Sequence, residues 1–303
     1  MAGGVGGAKL ADGLARVLPP ENLTIIGNTG DDFVHLGLTI CPDLDTVMYT
    51  LSDLASKQRG WGLEGETWRT LERVKELGGP DWFNLGDLDL ATHLIRSHML
   101  ANGATLTEAT AHLCQHVGIK TTLLPMCDAP VPTLVETEQG TLGFQEWFVK
   151  AGWQPQVNKV LLPDSARATA AVVAALNSAD IILLAPSNPF VSIDPILNCY
   201  PIRPMIADTK NVVIAVSPII AGDAVKGPSA EMMRHWGMPV SAQAIAEYYT
   251  DLLTGFVYDN RDADVPQLGD LPLATCDTLM KSAEDRIRVA QFVLQFAQEL
   301  GNF

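Results

Sequence analysis

The sequence is short of positive charge. Lys and Arg together number 20 against 35 Asp and Glu, a formal net charge of −15. Affinity for a phosphate backbone rests on clustered Lys and Arg, so a general nucleic-acid-binding role is excluded. Cysteine is sparse as well: five residues (Cys41, Cys114, Cys127, Cys199, Cys276), odd in number and never in a Cys-x-x-Cys pair. That excludes a disulfide framework and predicts reduced, mostly buried thiols in a cytoplasmic protein. No apolar run is long enough for a membrane span, because the most apolar stretch, 166–185, is interrupted by Arg167, Asn177 and Asp180. A basic-then-apolar leader is missing, the start being glycine-rich. Also missing are a Gly-x-Ser-x-Gly elbow and a Cys/His nucleophile arrangement, so covalent catalysis is not expected.

What is present suits one large α/β domain: 303 residues, 47% of them hydrophobic. Short apolar, β-rich runs at 23–26, 120–124, 133–137, 181–185 and 212–216 read as strands. Helical periodicity covers 8–18, 45–54, 66–77, 89–102, 106–117 and 282–300, with Thr107 as an expected N-cap. Alternating strand and helix predicts a Rossmann-like, doubly wound, mostly parallel sheet. The β signal fades between about 57 and 118, which is read as a helical insertion in a single 1–303 domain. Only Met1 and Ala2 precede the glycine segment. Either the start as given lies late or the first strand is unusually short, and the former is expected.

Chemistry concentrates in four polar segments next to these strands. Gly3-Gly4-Val5-Gly6-Gly7-Ala8-Lys9 suits backbone N–H groups curling around a phosphate, with Lys9 adding charge; a plain tight turn is the alternative. Asp31, Asp32, Asp43 and Asp45 follow the predicted strand at 23–26 and would converge where α/β sheets bind ligands, as oxygen ligands for Mg²⁺. Any one of them reads equally well as a cap or turn residue. Pro186-Ser187-Asn188-Pro189 and Ser217-Pro218 through Lys226-Gly227-Pro228 follow the clearest strands and bring further donors to the same crevice. Gly86-Asp87-Leu88-Asp89 with Thr92 and His93 borders a pocket, or Asp89 simply caps a helix. Trp61, Trp68 and Trp82 would wall a flat ligand, or lie in the core. His112 and His116 share a helix face, but Cys114 points away and no further ligand pair completes a zinc site.

Taken together, these segments resemble the 2-phospho-L-lactate transferase family of coenzyme F420 biosynthesis. The resemblance covers nearly the whole chain. It includes Asn28-Thr29-Gly30-Asp31-Asp32, Cys41-Pro42-Asp43-Leu44-Asp45-Thr46, Arg59-Gly60-Trp61-Gly62, Ser187-Asn188-Pro189-Phe190 and Val216-Ser217-Pro218-Ile219-Ile220. The family implies a homodimer that moves a phospho-acid from a guanylyl diphosphate donor onto 7,8-didemethyl-8-hydroxy-5-deazariboflavin (Fo), releasing GMP with Mg²⁺ as cofactor. By resemblance Asp45 and Asp32 are the catalytic carboxylates, and Asp31, Asp32, Asp43 and Asp45 hold the metal. Gly3, Gly4, Gly6, Gly7, Lys9, Asn28, Ser187 and Asn188 cradle the donor, while Asp45 and the position of Leu88 meet the acceptor. Many relatives carry a basic residue where this chain has Leu88. Replacing Asp45 by Asn is expected to abolish transfer and leave the fold intact. The competing reading is a nucleotide-sugar-binding regulator of related fold, in which a glycine- and serine-rich stretch, rather than Phe33-Val34-His35-Leu36, follows the paired aspartates.

Overall fold

The structure, a computed structural model, describes residues 1–57, 59–263 and 266–301. In chain order the first half runs α1 (Gly4–Val17), β1 (Thr24–Gly27), β2 (Phe33–His35), β3 (Leu38–Ile40), α2 (Pro42–Leu51), α3 (Arg69–Glu76), α4 (Asp87–Ala101), α5 (Leu106–His116), β4 (Thr122–Pro125), β5 (Leu134–Thr137), β6 (Gly140–Gly143) and β7 (Val157–Leu161). The second half runs α6 (Ala170–Ser178), β8 (Ile181–Leu184), α7 (Asp194–Asn198), α8 (Ile202–Ala207), β9 (Val212–Val216), β10 (Ile219–Ile220), β11 (Asp223–Ala224), α9 (Ser229–His235), α10 (Ala242–Tyr248), β12 (Gly255–Asp259), β13 (Leu273–Cys276) and α11 (Ala283–Gly301).

The parallel sheet has two parts, β4-β1 and β8-β9-β12-β13. Met1 and Ala2 join them. Ala2 N–H donates to Ile26 O at 2.9 Å and Ala2 O accepts from Asn28 N–H, while the Met1 amine donates to Leu183 O at 2.7 Å and Ala185 N–H to Met1 O. Two residues thus hold the place of a central strand, and α1 leaves directly from it.

Strand residues alternate between two cores, which is what a sheet covered on both faces requires. Ile25, Leu123, Ile214 and Val257 face the core built with α1, α2 and α11. Their neighbours Ile26, Leu124, Val213 and Phe256 face the core that includes Trp147, Val172 and Ile206. An antiparallel sheet, β6-β5-β7, and the hairpin β2-β3 complete the architecture.

Several element edges shift for local reasons. Helix α2 starts at Pro42, three residues ahead of expectation, because proline lacks only an N–H that the first turn leaves unpaired anyway. Helix α5 is capped by Thr105, not Thr107: Thr105 Oγ1 accepts from Glu108 N–H while Glu108 accepts from Thr105 N–H. Thr107 instead donates to Asp128. Helix α1 stops at Val17, ahead of Pro19 and Pro20, where the residue before a proline is driven out of helical geometry.

Candidate active site

Helix α1 begins at Gly4, so the glycine segment is its first turn rather than a loop in front of it. Gly3 is extended, and Gly4 has φ +59°, a conformation a side chain would strain. The other glycines permit close packing. A Cβ on Gly6 would lie 2.1 Å from Pro186 O, one on Gly7 2.4 Å from Ser187 Oγ, and one on Gly3 2.5 Å from Asp43 Oδ2. Ser187 is spent on this packing: its Oγ accepts from Gly3 N–H and donates to Gly3 O at 2.7 Å, so it clamps the turn instead of waiting for a ligand.

A cavity of about 600 Å³ opens beyond the C-terminal ends of the parallel strands, where α/β sheets bind ligands. One side carries Gly3, Gly4, Gly6 and Lys9 of the α1 start with Asn188 of the loop after β8. Lys226 also lines the cavity, its Nζ donating to Arg59 O beside Trp61; the Lys9 amine is lowered by burial first, then by Arg286 and Lys226. Lys9 Nζ donates to Met280 O at 2.6 Å. The rest of the lining includes the aromatic rings of Trp61, Phe83, Phe144 and Phe148. Of the other two tryptophans, Trp68 packs edge-on against Trp61 and Trp82 against Phe33 and His35, both behind the lining.

Four carboxylates line this space: Asp31, Asp43, Asp45 and Asp89. Asn28 holds the first two together from behind, its Nδ2 donating to Asp31 at 3.1 Å and to Asp43 at 2.9 Å. The second Asp31 oxygen accepts from Gln145, and the second Asp43 oxygen accepts from Gly4 N–H at 2.6 Å. Burial pushes Asp31 well up and Asp43 up to about 6, and in Asp31 repulsion from Asp43 adds to it. Asp43 therefore occupies one of the N–H groups of the α1 N-terminus, which leaves the amides of Val5 and Gly6 for an incoming anion.

The expected placement of three residues is corrected. Asp32 is turned behind the lining toward Cys41; burial raises it, and its Oδ1 has no partner among the described residues. Leu88 is outside the cavity, 49% exposed in the first turn of α4. Asp45 lines the cavity, but Arg96 grips both of its oxygens, Nη1 on Oδ2 at 3.0 Å and Nη2 on Oδ1. Gly7 and Asn28 likewise support the lining rather than form it.

Asp89 and His93, expected to border a pocket, do line the cavity, and Arg96 beside them was missed. Their spacing, i, i+4 and i+7, places them on one face of α4, and that pattern was readable. Asp89 is not the N-cap of its helix. The Glu66 carboxylate accepts from the N–H groups of Leu88 and Asp89 at 2.8 Å each, and Asp87 in return accepts from Arg69 and Thr70 at the start of α3. Asp45, Asp89 and His93 bring ligand atoms within 4.8 Å of one another. The Arg96 guanidinium already supplies the cation there, touching Asp45 and, at 3.1 Å, His93 Nδ1. At the other histidine cluster, His116 Nδ1 lies against His112 O, and Cys114 is buried with its thiol pushed up to about 12.

The fold is a parallel α/β protein whose cavity gathers a helix N-terminus, two lysines and a carboxylate pair. The chain belongs to the family described as 2-phospho-L-lactate transferase CofD, whose model matches residues 1–273. It is 42% identical over 300 residues to the 2-phospho-L-lactate transferase of Methanosarcina mazei, covering 97% of this chain and 98% of that one. It is 40% identical over 316 residues to the phosphoenolpyruvate transferase of Thermobifida fusca, covering 99% and 97%. A solved UPF0052-family protein from Bacillus halodurans shares the fold at a TM-score of 0.63 and 15% identity, over 96% of both chains. Among the described residues no helix is long and apolar enough to cross a membrane.

Proposed function

We propose that this chain transfers a phospho-acid moiety (phospholactyl, phosphoenolpyruvyl or 3-phosphoglyceryl) from a guanylyl diphosphate donor to the ribityl hydroxyl of Fo, with release of GMP, in coenzyme F420 biosynthesis. One observation carries this reading: the α1 start, two lysines, buried carboxylates and four aromatic rings line one cavity. A diphosphate suits the α1 start and the lysines, and a flat deazaflavin suits the rings. A volume near 600 Å³ lies within the usual range for such ligands. The two transferase relatives named above differ in acid but hardly in similarity, 42% against 40%, so identity does not favour one donor over another.

Phosphoryl transfer asks for positioning and charge neutralisation more than covalent help. The amides of Val5 and Gly6 at the α1 start, Lys226 and the Asn188 amide bind phosphate oxygens and hold the donor in line. The aromatic rings exclude water, so that the acceptor hydroxyl and not solvent meets the phosphorus. Asp31 and Asp43 fit a magnesium site: two buried, cavity-lining carboxylates, both raised by burial, share one amide and present only oxygen. Magnesium, when bound there, neutralises phosphate charge that the two lysines leave over.

The test is to incubate the purified chain with Fo and each of the three guanylyl donors, with Mg²⁺ or with EDTA, and follow products by mass. A phosphodiester-linked deazaflavin and GMP in equal amounts, lost with EDTA, is the expected result. No product from any donor would refute the reading, and a donor ranking would name the acid.

A further inference from the structure

From the hydrogen-bond accounting of the cavity we infer that Asp89, not Asp45, is the general base that takes the proton from the acceptor hydroxyl. This deepens the transfer reading above and rests on it.

A general base needs an oxygen that can reach the substrate. Asp31 gives its oxygens to Asn28 and Gln145, Asp43 to Gly4 and Asn28, and Asp45 to the two arms of Arg96. Asp89 alone of the lining carboxylates keeps one free. Its Oδ1 accepts from Tyr49 OH at 2.5 Å, and among the described residues its Oδ2 has no partner. The side chain is 15% exposed, open to the cavity but not to bulk solvent.

The groups around it hold that oxygen in place. Arginine can only donate, so His93 Nδ1 must accept from Arg96 and the His93 proton sits on Nε2. Nε2 lies 3.3 Å from Asp89 Oδ1, without hydrogen-bond geometry, and has no hydrogen-bond partner among the described residues. Tyr49 thus pins one oxygen, with His93 packed beside it, and leaves the other toward the cavity. The charged and titratable groups facing Asp89 are Tyr49 and Asp45 of α2, His93 and Arg96 of α4, Glu66 before α3, and His35 of β2 beyond His93. Burial pushes Asp89 up, but His93, Tyr49 and Arg96 outweigh it and leave the carboxyl below its ordinary range, ionised at neutral pH.

The step balances. The acceptor oxygen forms a bond to the phosphorus carrying the phospho-acid, the bond from that phosphorus to the GMP oxygen breaks, and GMP leaves with the electron pair. The hydroxyl proton passes to Asp89 Oδ2 and then to solvent.

Asp89→Asn preserves size and can still accept from Tyr49 at its amide oxygen. We expect kcat to fall by about 10²–10⁴-fold with the Fo KM changed far less, and the acid limb of the kcat–pH profile to disappear. Tyr49→Phe keeps the carboxylate and should shift that limb to higher pH with a smaller loss of rate, which keeps the idea falsifiable if the Asn variant misfolds. An Asn variant with wild-type circular dichroism, kcat within tenfold of wild type and an unchanged profile would overturn the assignment. A wild-type chain that makes no product from any donor would instead overturn the transfer reading and this one with it. A wild-type chain that does, beside a fully active Asp89→Asn, would overturn this one alone.

Discussion

The buried pair of Arg96 and Asp45 is the feature whose removal the structure prices most directly. Their side chains are each almost wholly enclosed, Arg96 1% and Asp45 4% exposed, and they join α4 to α2 across 51 positions of sequence. Arg96→Met keeps most of the volume and removes the charge. It would leave the Asp45 carboxylate beside Asp32 with no cation against it. At an effective dielectric of about 20 and a separation of about 4 Å, the lost attraction is about 4 kcal/mol. Breaking one side of a buried pair typically costs about 3–5 kcal/mol. Urea denaturation followed by tryptophan fluorescence should show a loss of that size at pH 8, with an unchanged dependence on denaturant. The double variant Asp45→Leu/Arg96→Met should lose less than the two single variants added together. A loss under about 1 kcal/mol for Arg96→Met, or strict additivity, would refute the reasoning. The same pair changes what Asp45→Asn would report. That substitution loosens the hold on Arg96, so lower stability is expected along with lower activity, not an intact fold.

Gly6→Ala places a methyl group 2.1 Å from Pro186 O, a backbone atom that cannot swing away. Stability should fall by about 1–3 kcal/mol, as for overpacking elsewhere, and turnover should fall further because the cavity-lining turn of α1 is displaced; melting temperature and kcat within error of wild type would contradict this. Asp194, at the start of α7, is pushed up to about 6 by burial although Tyr248 donates a hydrogen bond to it. Between about pH 4 and 6 the folded chain keeps a proton that the unfolded chain has released. Its contribution to stability is therefore lost as pH rises through that window, by up to about 3 kcal/mol, and Asp194→Asn should flatten that part of a plot of unfolding free energy against pH.

Where a backbone repeats, its pattern was legible. Residues 212–216 form the predicted strand, buried on both faces, and 181–184 all but match theirs. The long helix α11 starts and ends within a residue of its amphipathic pattern. The hairpin β2-β3, the antiparallel β5-β6-β7 sheet and the fully buried β12 were less legible or missed, being short, and β7 and β12 also depend on partners farther along the chain. Within the site, the named polar segments do converge on one cavity, while several of their side chains are held by other parts of the chain. Ser187, Asn28 and Asp45 read as ligand-binding residues, yet each has its polar atoms committed to other parts of the chain.

By itself the sequence determined the layered α/β class, the family, and the supply of glycines, acids and lysines at strand ends, because these depend on local period and residue type. Only the tertiary structure decided that Arg96 would neutralise Asp45, that Asp43 would cap the first turn of α1, and that Asp89 would keep an oxygen free. A hydrogen bond is an exclusive assignment between groups set by distance and angle, and no spacing along the chain shows which donor reaches which acceptor first.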